Sequence, residues 1–121
     1  MPTQIVNSER WFKIWHYGVS HSLLLLRSPK SSNVPTHIDL LFQVVWEFHL
    51  PISFSGLIQE ASDDEIRNLC ILCQLFDPVA KVYVVKGTVR GTEFIGYIVA
   101  RTCLCHEDEG ESNEPSFFGN Y

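Results

Sequence analysis

Four cysteines and five histidines supply the residue types from which zinc sites and thiol-based active sites are built. Cys70 and Cys73 form one close pair, and Cys103, Cys105 and His106 form a second group. The first pair falls within a predicted helical stripe, and the second pair of thiols falls on one face of a predicted strand. Structural zinc sites present ligand pairs on tight turns, and a redox pair needs its first thiol at a helix N-terminus. We therefore predict reduced thiols packed as small apolar groups, with no metal and no cofactor.

The histidines and carboxylates form no catalytic arrangement along the sequence. His37 and His49 flank one predicted strand and would lie about 40 Å apart in an extended chain, so they cannot share a site. Asp39 and Glu47 lie on the same strand, too far apart for a pair of catalytic carboxylates. The chain also lacks the glycine-rich loops that bind phosphate groups. We therefore predict no catalytic residues and a protein that is not an enzyme.

The stretch from His37 to His49 is the element around which these residues are arranged. Large apolar residues occupy every second position, and polar residues occupy most of the positions between them. Successive side chains of a strand point to opposite faces, so this pattern predicts a long strand with one face in the core and one partly wet. The predicted core face consists of Ile38, Leu40, Phe42, Val44, Trp46 and Phe48.

Residues 62–78 carry the clearest helix signal. Ser62 and Glu65 match a capping box, in which each side chain binds the backbone N–H of the other residue. Apolar residues then recur at spacings of three and four, which predicts a helix of about 13 residues with one apolar face. Asp77 and Pro78 end it. The predicted stripe comprises Ile66, Leu69, Cys70, Cys73 and Phe76.

Further strands are predicted at 11–19, 23–27, 57–60, 81–89 and 94–104, from runs of aromatic, β-branched and leucine residues. The last two are joined at 90–92, or alternatively through a turn at Lys86 and Gly87. Strands interrupted by one helix predict an α+β domain with a mostly antiparallel sheet of five to six strands. One amphipathic helix would pack on this sheet, which is strongly curved in the main variant.

The net charge of −5 is concentrated at the C-terminus. Nine basic and nine acidic residues balance up to His106, and the excess follows as Glu107, Asp108, Glu109, Glu111 and Glu114. This distribution disfavours binding to nucleic acid or to an anionic membrane, which needs clustered Lys and Arg. We predict one globular domain over 1–106 and an acidic, partly disordered tail over 107–121. With no export signal and no long apolar run, we expect a cytoplasmic, bacterial protein.

These observations favour a non-enzymatic protein-binding module. The most concrete hypothesis is a stoichiometric inhibitor that neutralises a basic toxin or nuclease by occlusion, since bacterial immunity proteins are similar in size and charge. One alternative is a homodimeric structural or regulatory domain, and another is a small metal- or ligand-binding domain. The predicted partner contacts are Asp39, Glu47, Glu107, Asp108, Glu109 and Glu111.

Overall fold

The strands of this chain form a six-stranded antiparallel barrel. The structure, a computed structural model, describes residues 4–69 and 77–110 together with Ser116 and Phe118. Within these residues the strands are β1 (Gln4–Gly18), β2 (Leu23–Ser28), β3 (His37–His49), β4 (Ser53–Glu60), β5 (Lys81–Val89) and β6 (Thr92–Asp108). A short 3₁₀ helix, Val19–His21, joins β1 to β2, and one α-helix, α1 (Asp63–Asn68), lies between β4 and β5. The barrel closes in the order β1-β2-β3-β6-β5-β4.

The predicted α+β class, a mostly antiparallel and possibly strongly curved sheet with one amphipathic helix packed on it, is wrong, because the six strands close into a barrel. The first strand is longer than the predicted 11–19, because it begins at Gln4. Its C-terminal part pairs with β2 through Lys13–Gly18, and its earlier part pairs with β4 through Gln4–Lys13. The pairing of β1 with β4 joins the two ends of the strand order β1-β2-β3-β6-β5-β4, so the sheet closes on itself.

The barrel interior is filled with apolar side chains. Alternate residues of each strand point inward, as the two-residue period of a strand requires. The six-residue strand β2 contributes Leu24 and Leu26 to this core, and β6 contributes Ile98 and Ala100. The remaining buried members are Phe12, Ile38, Leu40, Phe42, Val45, Phe54, Ile58, Tyr83 and Val85.

Strand β3 has the predicted limits, but its inner face differs from the prediction. Val44 has a positive φ of 53°, and the pairing of β3 with β6 shifts register between Val45 and Glu47. The positive φ of Val44 and the single register shift after Val45 interrupt the two-residue alternation, so different side chains point inward from Val44 onward. Val45 is buried in place of Val44, whereas Val44 and Trp46 are exposed on the outer surface.

Helix α1 begins with the predicted capping box. The Ser62 hydroxyl accepts a hydrogen bond from the N–H of Glu65, whose carboxylate accepts one from the N–H of Ser62. The described helix ends at Asn68, and the rest of the predicted stripe, Cys70, Cys73 and Phe76, lies outside the described residues. Within 4–69 and 77–110, no helix combines the length and apolar character needed to cross a membrane.

The connection between β5 and β6 distinguishes between the two predicted turns. The strands meet at Arg90 and Gly91, both of which have positive φ values. The alternative turn is wrong, because Lys86 and Gly87 lie inside β5. Gly87 permits a close approach of β4, since a Cβ atom there would lie 2.0 Å from the carbonyl oxygen of Ser55.

Candidate functional site

Asp39, one of the predicted partner contacts, is completely buried beneath the outer surface of the barrel. Its two carboxylate oxygens accept hydrogen bonds from Nε and Nη2 of Arg27 at 2.7 and 3.1 Å. Arg27 is equally buried, and its guanidinium lies 4.6 Å from the centre of the Trp15 ring. The Asp39 carboxylate therefore stabilises Arg27 and presents no surface to a partner.

Asp108 lies at the end of β6 and is also engaged within the chain. Its Oδ1 atom lies 2.9 Å from Nδ1 of His37, and its Oδ2 atom lies 3.0 Å from Nε2 of His106. The N–H of Gly110, followed by the two nearby histidines, lowers the pKa of the Asp108 carboxyl. His106 also contacts the Phe118 ring edge-on, so this end of β6 joins the strand to a C-terminal residue.

Glu107 lies near the C-terminal end of β6, beside Arg10 of β1. Its carboxylate lies 3.7 Å from Nη1 of Arg10 and accepts a hydrogen bond from the hydroxyl of Thr36. The guanidinium of Arg10 also donates to the hydroxyl of Ser28 and the carbonyl of Thr36. Strand β6 thus continues two residues beyond the predicted domain boundary, and its acidic end packs against β1 and β3.

The other predicted contacts occupy different surroundings. Glu47 lies beside His49 and Tyr97, at 3.6 and 3.5 Å. Glu109 is exposed, and its carbonyl accepts a hydrogen bond from Lys30. Glu111 lies outside the described residues. Of the five predicted contacts that the structure describes, Asp39 is buried and the other four occupy separate surroundings.

Cys103 and Cys105 lie on β6, at paired positions opposite Phe42 and Leu40 of the core. Burial raises the pKa of the Cys103 thiol to about 12, and partial desolvation followed by the Glu107 and Asp39 carboxylates raises that of Cys105. Cys105 is nevertheless exposed, so the prediction that it packs as a core thiol is wrong. Protonated thiols are poor metal ligands and poor nucleophiles. No cluster of three potential ligands occurs among the described residues, and Cys70 and Cys73 lie outside them.

A different group of residues forms the candidate site on the outer face of β3 and β6. Asp77 is buried, and its Oδ2 atom accepts two hydrogen bonds of 2.8 Å, from Nε1 of Trp46 and from Nε of Arg101. The Arg101 guanidinium and then the Trp46 N–H hold the pKa of this carboxyl below its ordinary value. Trp46 and the side chain of Arg101 are nevertheless 47% and 50% exposed. One buried carboxylate therefore fixes two exposed side chains, which we call the Trp46–Asp77–Arg101 site.

Strained backbone lies next to this site. A β-branched residue rarely adopts positive φ, because its side chain crowds the backbone in that conformation. Val44 does so two residues before Trp46, and its side chain is exposed. Such strain persists where the surrounding structure enforces it, and it is frequent at functional sites. Val79, which follows Asp77 by two residues, adds a further exposed apolar side chain.

None of the three residues of the site was predicted from the sequence as a functional residue. Trp46 was assigned to the core by alternation, and Asp77 was interpreted as the end of a helix. Arg101 could have been noticed in the sequence, because it is a charged residue that directly follows the mainly apolar run from Ile95 to Ala100. A charge on such a strand needs a counterion from another element. That requirement alone does not identify Asp77, since several acidic residues are candidates.

A groove of about 710 Å³ lies on a different part of the outer face, across β4, β5 and β6. Pairing places Leu57, Lys86 and Ile95 in one row across the three strands, and Thr88 and Glu93 lie opposite each other in the next row. The side chain of Ile95 is 65% exposed. The groove therefore combines an exposed apolar centre with one charge of each sign.

No protein-family model, no curated protein and no solved structure matches this chain.

Proposed function

We propose that this chain is a non-enzymatic protein-binding module, and most concretely an inhibitor that occludes the active surface of a partner. The observation that carries the proposal is the Trp46–Asp77–Arg101 site. Tryptophan and arginine are the residue types most enriched among the side chains that dominate binding energy at interfaces. Here both are exposed on rigid strands and share one buried carboxylate.

Preorganisation is the physical advantage of this arrangement. A free tryptophan or arginine on a surface loses rotamer freedom when a partner binds, and that loss reduces affinity. Asp77 removes part of this freedom beforehand by fixing the indole N–H and the guanidinium Nε. Among the described contacts of Arg101 only Nε is engaged, so its terminal N–H groups are available to a partner's carbonyl or carboxylate oxygens.

The overall charge favours a basic partner. With a net charge of −5, the chain attracts a positively charged protein over a distance of several ångströms and accelerates the encounter. Trp46, Val44 and Val79 would then supply apolar contact area. A toxin or nuclease with a basic substrate groove has the required charge, and a module bound across that groove blocks it sterically.

The test compares two tryptophans with equal exposure. Trp46 and Trp11 are both 47% exposed, but the described hydrogen bonds anchor only Trp46. Immobilised wild-type, W46A and W11A chains would be used to capture partners from the native cell, followed by calorimetry with the purified partner. We expect W46A to weaken one-to-one binding about 30-fold, as for a dominant interface residue. We expect W11A to retain near wild-type affinity.

Two outcomes would contradict the proposal, the first concerning the contact surface and the second concerning inhibition. If W11A weakens binding as much as W46A does, the Trp46–Asp77–Arg101 site is not the contact surface. If the partner keeps its full activity when saturated with the chain, the protein binds without inhibiting. Circular dichroism of each variant checks that the barrel is intact before affinities are compared.

A further inference from the structure

The groove across β4, β5 and β6 is an apolar region of the barrel surface outside the Trp46–Asp77–Arg101 site. Because the described strands close into a barrel, a partner meets a face of the sheet more readily than an edge. Elsewhere on the outer face, Ile66 and Leu69 pack over Val82 and Val99. In the groove, by contrast, Ile95 is largely exposed.

The charges of the groove are arranged so that it complements itself. On the paired strands β5 and β6, Lys86 lies opposite Ile95, and Thr88 lies opposite Glu93. These four residues form a square, with Lys86 and Glu93 on one diagonal and Ile95 and Thr88 on the other. Consider a two-fold axis that lies flat between two facing copies, along the line that joins Ile95 and Thr88. This axis would place each Lys86 against the other copy's Glu93. It would also bring the two Ile95 side chains together.

We infer that this groove is the surface through which two copies of the chain associate. The lining carries one cation and one anion on opposite corners of the square, and a second copy of the same surface presents the matching pattern. Among the described residues, Glu93 has no recorded ion pair or hydrogen bond. The ammonium of Lys86 contacts Glu65 at 2.9 Å, which uses one of its three donors and orients the others. A second copy supplies a cation to Glu93 and a further carboxylate to the remaining donors of Lys86.

The first experiment measures self-association of the full chain by sedimentation equilibrium over a range of concentrations. We expect a reversible dimer that I95D weakens roughly tenfold or more, because the substitution places a carboxylate at the apolar centre. The matched control is I52D, since Ile52 is even more exposed, at 72%, but lies in the β3–β4 connection. A wild-type chain that stays monomeric at millimolar concentration, or a dimer that I95D and I52D affect equally, would overturn the inference.

The second experiment exchanges the charges. E93K places two lysines against each other across the axis, and K86E places two glutamates against each other, so each variant alone should be mainly monomeric. A mixture of the two should recover dimers, because every lysine then meets a glutamate of the other chain. If the mixture forms no more dimer than each variant does alone, this pairing is rejected. The mixture also controls for folding, since misfolded chains would not recover.

Discussion

Two Arg–Asp pairs, each with a tryptophan, lie on the outer side of the same barrel and differ in their access to solvent. The first is Arg27 with Asp39, covered by the Trp15 ring at 4.6 Å. Both charged side chains are completely buried, and the carboxylate accepts two hydrogen bonds from the guanidinium. The second is the Trp46–Asp77–Arg101 site, in which only the carboxylate is buried.

The difference shows how the same residue types serve two purposes. A sealed ion pair cannot contact a partner, and its desolvation offsets much of its attraction, so its main effect is to favour the register that brings the charges together. In β2 and β3 this register pairs Arg27 directly with Asp39. In the open site the buried carboxylate comes from a connecting segment, and its effect is to orient exposed side chains that a partner can reach.

The largest expected effect comes from breaking the sealed pair. D39N leaves the buried cation of Arg27 without its counterion, so we expect the free energy of unfolding to fall by about 3–5 kcal/mol. Urea denaturation monitored by circular dichroism measures this change. D77N should cost far less in the same assay, because Arg101 is half exposed and water solvates its charge.

The double variant R27L/D39L separates the loss of a counterion from the loss of the pair. Replacing a buried ion pair by apolar residues is often neutral or stabilising, so we expect this variant to be more stable than D39N alone. If D39N and D77N lower the free energy of unfolding equally, burial of the arginine does not decide how much its counterion contributes to stability.

Much of the local structure could be predicted from the sequence, because it depends on neighbouring residues. The limits of β3 and the capping box at Ser62 follow from alternation and hydroxyl chemistry, whereas the glycines left two positions open for the turn between β5 and β6. Barrel closure could not be predicted in this way. It depends on β1 pairing with β4, and no local pattern states which distant strands pair.

The candidate site could not be predicted from the sequence, for a related reason. Alternation assigns Trp46 to the core, and the positive φ of Val44, followed by the register shift between Val45 and Glu47, reverses that assignment. Nothing in the sequence around Val44 marks a bulge, since a β-branched residue disfavours positive φ. Among the predicted acidic contacts, Asp39 binds Arg27, and Asp108 binds His37 and His106, within the chain. Charge patterning identifies acidic residues but does not show which of them are neutralised by folding.

The positive φ of Val44, next to the bulge in β3, provides a prediction of intermediate size that concerns the open site. Asparagine tolerates positive φ far better than valine, so V44N should relieve backbone strain. Because Val44 is 40% exposed, the substitution loses little apolar burial. We expect the free energy of unfolding to rise by about 1 kcal/mol, measured by urea denaturation. The matched control is V79N at an exposed valine without a recorded positive φ, which should not stabilise the chain.

The binding assay then shows whether the strain is functional. If the bulge exists to present Trp46, V44N should retain partner affinity, because asparagine keeps the same backbone conformation while lowering its cost. A stability loss in V44N would contradict the strained conformation at this residue.

The smallest expected effect is the pH dependence contributed by Asp77. Its pKa in the folded chain is lowered, first by the hydrogen bond from Arg101 and then by that from Trp46. A carboxyl with a lowered folded pKa stabilises the fold fully above its unfolded value, near 4 for aspartate, and loses that contribution as the pH falls through the folded value. The stability difference between wild type and D77N should therefore be constant near neutral pH and shrink in acid.

Urea denaturation of both chains from neutral pH to about pH 2 tests this expectation. Taking the difference between them matters, because Asp108 and Glu65 also have lowered pKa values and contribute to the acid loss of stability in both chains. In the D77N chain, the asparagine oxygen can still accept the Trp46 hydrogen bond, whereas the charge attraction to Arg101 is lost. A difference that does not change with pH would mean that the ion pair with Arg101 adds nothing. Trp46 would then be fixed by the neutral hydrogen bond alone.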